Sequence, residues 1–105
     1  MRRGTTPTIV IRVTGEDFEG STLYVTLEQN TVEITKTGTD VIVTPTETGS
    51  VVNVFLSQEE TLQFSKGNAK IQIRWIDSSG TAQASPVKTI DVGEILLEGV
   101  ISYGS

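Results

Sequence analysis

Apolar and polar residues trade places along most of this chain at a spacing of two. Ile9, Ile11 and Val13 alternate with Val10 and Arg12, and Leu23, Val25 and Leu27 alternate with Tyr24, Thr26 and Glu28. Val32 and Ile34 alternate in turn with Glu33 and Thr35. A half-buried strand needs this period, because successive side chains leave opposite faces of the pleat. Further strands are predicted over residues 41–44, 51–56 and 69–77. In the second of these Val52, Val54 and Leu56 share a face; in the third Ile71, Ile73 and Trp75 alternate with Lys70, Gln72 and Arg74. Pro45 stops the fourth strand, since proline has no amide hydrogen for a ladder. A last extended segment runs from residue 82 to about 92 and contains Pro86, which places it at an edge or on a bulge. The pattern puts a tight turn near Gln29 and Asn30, a hairpin connection at 37–40 and another turn at 78–81. Residues 14–20 read as a polar connection with one buried residue, Phe18.

The one convincing helix signal lies in residues 56–64. Ser57 can cap the first turn and Glu60, three residues on, can reach back to it, the reciprocal pairing of a capping box. Glu59 and Glu60 place negative charge where the helix dipole is positive. A hydrophobic staple across the cap would need an apolar residue at Thr61; Leu62 must serve the core instead. The segment leads into the strongest strand of the chain, so it marks where the chain crosses between two sheets. The fold expected is all-β: an immunoglobulin-like antiparallel β-sandwich of about seven strands with one short helical turn at residues 57–64. The chain has no cysteine pair, and its one tryptophan sits on the sixth strand instead of the third. The expectation is therefore of immunoglobulin-like architecture, without immunoglobulin kinship.

With 105 residues the chain is long enough for one domain, residues 1–105, to bury a core of its own. The absence of cysteine and histidine removes disulfides, thiolate sites, Ser-His-Asp triads and histidine metal sites from consideration. A formal net charge of −5 argues against nucleic acid as a partner, because affinity there comes from neutralising phosphates. Arg2 and Arg3 could head a signal peptide, but the apolar run that follows is short and interrupted by Arg12, so no signal peptide is expected. No stretch approaches the roughly 20 apolar residues of a membrane span, and no membrane partner is expected. The ten glycines sit singly at turns and form no phosphate cradle.

Carboxylates are what remain for chemistry. Glu16, Asp17 and Glu19 share one loop without the ligand spacing of a calcium loop, and read as a solvated acidic turn. Glu59 and Glu60 are adjacent on a helix and point apart, so they cannot flank one scissile bond. Ser65 with Lys66 or Lys70 could form a nucleophile pair, but nothing supplies an oxyanion hole. No catalytic residue, metal ligand or cofactor is expected. Trp75 shares a face with Ile71 and Ile73 and reads as core; Tyr24 faces the other way as a possible exposed contact. Together with Tyr103 it is the only aromatic basis for a sugar-binding face.

The C-terminal tail, residues 94–103, is the feature that most needs a partner. Ile95, Leu96, Leu97, Val100 and Ile101 are too apolar to dangle in water, since burying each is worth roughly 1.5–3 kcal/mol. The tail either pads its own domain or docks on a neighbouring subunit by strand addition or hydrophobic contact. A flexible polar arm at residues 1–8 is expected to be free for the same purpose.

Residues 1–8, the run from Leu56 to Phe64, the Lys66-Gly67 turn and the strand Lys70 to Arg74 resemble short proteins encoded in tail gene regions of phages and prophages of Gram-positive bacteria. Gly80, Ser85 and Val92 fall where that group tends to carry a glycine turn, a small residue and a last core valine. The pattern is also similar to the β-rich N-terminal domain of baseplate upper proteins from long-tailed phages. The resemblance implies a virion structural protein without catalytic residues, made in the host cytoplasm and assembling with itself or with other phage tail proteins. The alternative is a carbohydrate or host-surface adhesion module using the sheet face around Tyr24.

Overall fold

A computed structural model describes residues 1–94, 96 and 99–101. Its strands are β1 (Thr8–Thr14), β2 (Thr22–Gln29), β3 (Val32–Lys36), β4 (Val41–Pro45), β5 (Gly49–Phe55), β6 (Gly67–Ile76), β7 (Ala82–Ala84) and β8 (Lys88–Val92), with one helical turn, α1 (Gln58–Leu62), between β5 and β6. They form two antiparallel sheets. One has the order β1-β5-β4; the other runs β3-β2-β6, with β7 and β8 both pairing along the far side of β6. The all-β sandwich expected from the alternation is what the chain forms. Its order is that of an immunoglobulin-like sandwich from the second strand onward, B-E-D facing C′-C-F-G, with no first strand beside β1 among the described residues.

The alternation predicted for each strand is realised as burial. Val25, Leu27 and Ile73 on β2 and β6 are essentially sealed from solvent, as are Val52 and Val54 on β5. In the β2–β6 register Leu23 lies opposite Trp75, Val25 opposite Ile73 and Leu27 opposite Ile71. Trp75 belongs to this core. Phe18, from the loop after β1, meets it edge to face with ring centroids 5.0 Å apart, a geometry favoured by the ring quadrupoles.

Residues 56–64 do carry the chain from one sheet to the other. Ser57 accepts the Glu60 N–H at 3.2 Å and its own N–H donates to Glu60 Oε1 at 2.8 Å, completing the capping box. Thr61, where an apolar staple residue was wanted, is fully buried, because its hydroxyl donates to the Thr5 and Gln58 carbonyls at 2.9 and 3.2 Å. A satisfied hydroxyl can enter a core without the usual desolvation cost. The hairpin expected at residues 37–40 is a correction. A 3-10 turn at Gly38–Asp40 takes the chain from β3 in one sheet to β4 in the other. The turn is short enough for a hairpin, but Val41 and Val43 have their apolar partners on β5.

The last segment also resolves further than its pattern did. Arg74 pairs with Ala84 and Ile71 with Lys88, so Gln72 and Ile73 face three residues, Ser85, Pro86 and Val87. This is a β-bulge, and it changes which residues face the core. Beyond it Ile90 lies opposite Ala69 and Val92 opposite Gly67, with Val92 buried. Ser85 keeps the bulge bonded: its hydroxyl accepts the Ile73 N–H at 3.0 Å and its carbonyl accepts the Gln72 amide at 2.8 Å.

Gly49 opens β5 opposite Thr14 of β1, where any Cβ would fall on the Val13 carbonyl oxygen. Backbone cannot yield there without parting the two strands. Gly49→Ala should therefore cost about 2 kcal/mol or more and lower Tm by roughly 8 °C, read by thermal unfolding. An unchanged Tm would mean that β1 can shift freely at this end.

Candidate functional site

β1 and β8 are both edge strands: among the described strands the first pairs only with β5 and the second only with β6, and the Met1 ammonium donates to the Asp91 carbonyl at the far end of β8. Their free edges face each other across one side of the sandwich and leave a groove of about 490 Å³ between the sheets. Its floor is apolar, with Ile9, Ile11 and Val13 of β1, Ile71 and Ile73 of β6 and Ile90 of β8. All three inward residues of β1, and Ile90, are only half-buried, whereas the equivalent residues of the central strands are sealed. The rim carries two cations, Arg12 and Lys88, both exposed. The main chain of β1 thus offers seven residues of strand with one row of ladder groups unused, a template for another strand.

The N-terminal arm, expected to be free, is tied to the domain. Arg2 and Gly93 form a parallel bridge, the Gly93 N–H donates to the Met1 carbonyl at 2.6 Å and the Arg3 N–H to the Gly93 carbonyl at 3.0 Å. The Arg3 guanidinium donates to the Phe64 carbonyl through Nε and to the Leu62 carbonyl at 3.1 Å. A cation at these last carbonyls of a helical turn is favourable. None of these residues lines the groove.

The C-terminal tail lies elsewhere again. Gln58 of α1 clasps it: Nε2 donates to the Ile101 carbonyl and Oε1 accepts the Ile101 N–H, both at 2.9 Å. Arg2 donates to the Glu94 carbonyl at 2.7 Å. This holds the backbone without covering the side chains. Leu96 is fully exposed, and Val100 and Ile101 are more than half exposed. Ile95, Leu97 and Tyr103, named from the sequence with them, lie outside the described residues.

Tyr24 stands on the outer face of the five-stranded sheet, 41% exposed. It borders a shallow depression of about 410 Å³ shared with Thr26, Glu33, Thr35 and Arg74. The other candidates have structural employment. Asp17 accepts the Glu19 N–H at 3.1 Å, closing its own turn, and the Glu16 carbonyl accepts the Ser50 hydroxyl at 2.6 Å. Among the described residues no three acidic groups gather closely enough to hold a metal ion, and no helix is long and apolar enough to cross a membrane.

Lys36 and Glu60 form the principal ionic node. The Lys36 ammonium lies 2.7 Å from Glu60 Oε2 and 3.3 Å from Asp40, with its side chain only 11% exposed. Burial pushes the Glu60 carboxyl up, but the hydrogen bonds from Lys36 and Ser57 outweigh it and hold the group below its ordinary 4.5. For Lys36 burial pulls down, and the bonds to Glu60 and Asp40 prevail and raise it above 10.5. Gln29 is a second node that the sequence pattern hid. This buried amide donates to the Ser65 carbonyl at 2.7 Å and accepts the Ser65 N–H at 2.7 Å, fixing the turn into β6.

No family model, curated protein or solved structure matches this chain.

A lowered carboxyl pKa stabilises the fold above its unfolded value and ceases to as pH falls through the folded one. A raised lysine pKa acts conversely, lost only as pH rises through the folded value. Glu60→Gln keeps the cap geometry and removes the charge, so it should cost about 1 kcal/mol at neutral pH. The gap to the unsubstituted chain should close as pH falls below 4.5, as read by urea unfolding in a pH series. A gap that persists in acid would assign the loss to packing.

Proposed function

We propose that this domain is a non-enzymatic structural module that works by protein–protein assembly, as a phage-derived component of a virion tail or baseplate. The observation that carries assembly is the combination of an uncovered strand edge over an apolar groove with a tail that exposes aliphatic side chains. Unsatisfied apolar surface of both kinds is worth burying, and an unused edge gives main-chain specificity to whatever buries it. The virion setting rests on the resemblance of residues 1–8 and 56–74 to phage tail-region proteins. Tail structures are built from repeated subunits, so copies of this chain, other tail proteins or both are the partners proposed, without nucleic acid, membrane or cofactor.

Sedimentation velocity of the intact chain across micromolar to millimolar concentration should show concentration-dependent assembly. Removing residues 94–105 should leave a folded monomer with an unchanged far-UV circular dichroism spectrum. If the truncated chain unfolds instead, the tail belongs to its own core and the assembly reading loses its support.

The depression beside Tyr24 favours a second reading, adhesion to a carbohydrate or host surface, because an exposed ring flanked by hydroxyls and a guanidinium suits a sugar. Tyr24 is the one exposed aromatic side chain there, for Trp75 at its border is buried in the core, so this is the weaker reading. Tyr24→Ala should abolish any glycan-array signal of the intact chain, and an array without hits removes this alternative.

A further inference from the structure

Resting on the assembly reading, we infer that the groove between β1 and β8 takes the C-terminal tail of a second copy of this chain as an added strand, antiparallel to β1. The immunoglobulin-like order places a first strand beside the second, and β1 is the second with no first strand next to it. The groove is what that missing strand leaves behind. An eight-residue tail segment, 94–101, is about as long as the seven-residue edge. Its own copy does not lay the described tail residues there: Arg2 holds Glu94 and Gln58 holds Ile101, none of them lines the groove, and Leu96, Val100 and Ile101 stand in solvent.

The tail has the right pattern for the position. At strand period Ile95, Leu97 and Ile101 share one face, with Gly99 between them, and Glu94 and Glu98 share the other with Leu96 and Val100. β1 presents Ile9, Ile11 and Val13 to the groove and Val10 and Arg12 outward. One antiparallel register satisfies both faces. Glu98 comes opposite Arg12 and Val100 opposite the exposed Val10, while Ile101 and Leu97 enter the groove beside Ile9 and Val13. Gly99 then falls opposite Ile11, where the groove is already filled by a large side chain. Cross-strand pairs of opposite charge and of aliphatic residues are the units that stabilise a sheet. Lys88 on the other rim adds a second cation where a glutamate-bearing strand would pass. Because the donor's tail and the acceptor's groove are different surfaces, the contact either closes reciprocally as a dimer or runs head to tail into a ring or filament.

The chain has no cysteine, which allows a direct test on full-length protein. Residues directly opposed on antiparallel strands have Cα atoms about 4.5–5.5 Å apart, within the span of a disulfide. A mixture of Arg12→Cys and Glu98→Cys chains should form a mixed disulfide dimer on mild oxidation, and Tyr24→Cys with Glu98→Cys should not. Independently, Arg12→Glu should weaken assembly roughly threefold or more, and Glu98→Arg in the same chain should restore it. Arg12 is exposed and projects away from the core, and circular dichroism checks the fold of every variant. Assembly that persists without the mixed disulfide and without charge rescue overturns the tail-in-groove contact and leaves the assembly reading standing. A chain that stays monomeric at every concentration overturns self-assembly and this contact together. An internal disulfide in monomeric Arg12→Cys/Glu98→Cys overturns the second copy as the occupant.

Discussion

The pairing of β2 with β6 is the constraint on which everything else in this domain hangs. Its inward side chains, from Leu23 opposite Trp75 to Leu27 opposite Ile71, are the innermost row of the core. Without a disulfide, apolar burial along this seam is the main source of stability. A strand buried on one face and bonded on both edges has a single permissible register, because a slip of one residue would turn every aliphatic side chain outward. β3, β7 and β8 inherit their positions from that register, and the loop ring of Phe18 packs onto Trp75.

The sandwich around this seam is uneven. At the end near α1 the chain invests its specific polar contacts, with the capping box, the Lys36–Glu60 pair, the Gln29 amide and the Arg3 guanidinium meeting within a few residues of the helical turn. On the β1–β8 side it leaves half-buried isoleucines and an unused strand edge. Such an edge is ordinarily guarded by lysine, proline or a bulge. β8 has the bulge beside it and Lys88 at its start, and β4 ends in Pro45, but β1 reads Thr-Ile-Val-Ile-Arg-Val-Thr with no such guard except Arg12. Of these three edges, the least protected is thus the one over the apolar groove.

Much of this was legible in the sequence wherever a local rule had one solution. The period of two at residues 23–28 and 69–77 predicts strands whose buried faces are the ones found, and Ser57 with Glu60 predicts a cap that forms as written. Residues 37–40 read as a hairpin because a short Gly-containing turn looks the same whether the next strand returns to its own sheet or joins the other. Gln29 gave no signal, since a glutamine at the end of an alternating run is ordinarily solvated and only the turn packed over it makes it a buried bracket. Arg3 reads as part of a loose arm because the carbonyls it meets lie some sixty residues away. The apolar tail was evident from composition, whereas the groove was not. The place left open beside β1 among the described residues shows only when the strand order is known.

The Gln58 clasp gives the tail a resting place as well as a location. Two hydrogen bonds exposed to water are worth about 1 kcal/mol each at most, so the clasp at Ile101 is weak enough to open. Any partner that draws on the tail sees only the open fraction, so its apparent affinity falls by that fraction. On the proposed assembly the clasp would act as a dilution-sensitive latch, with scattered chains holding their own tails and crowding favouring exchange.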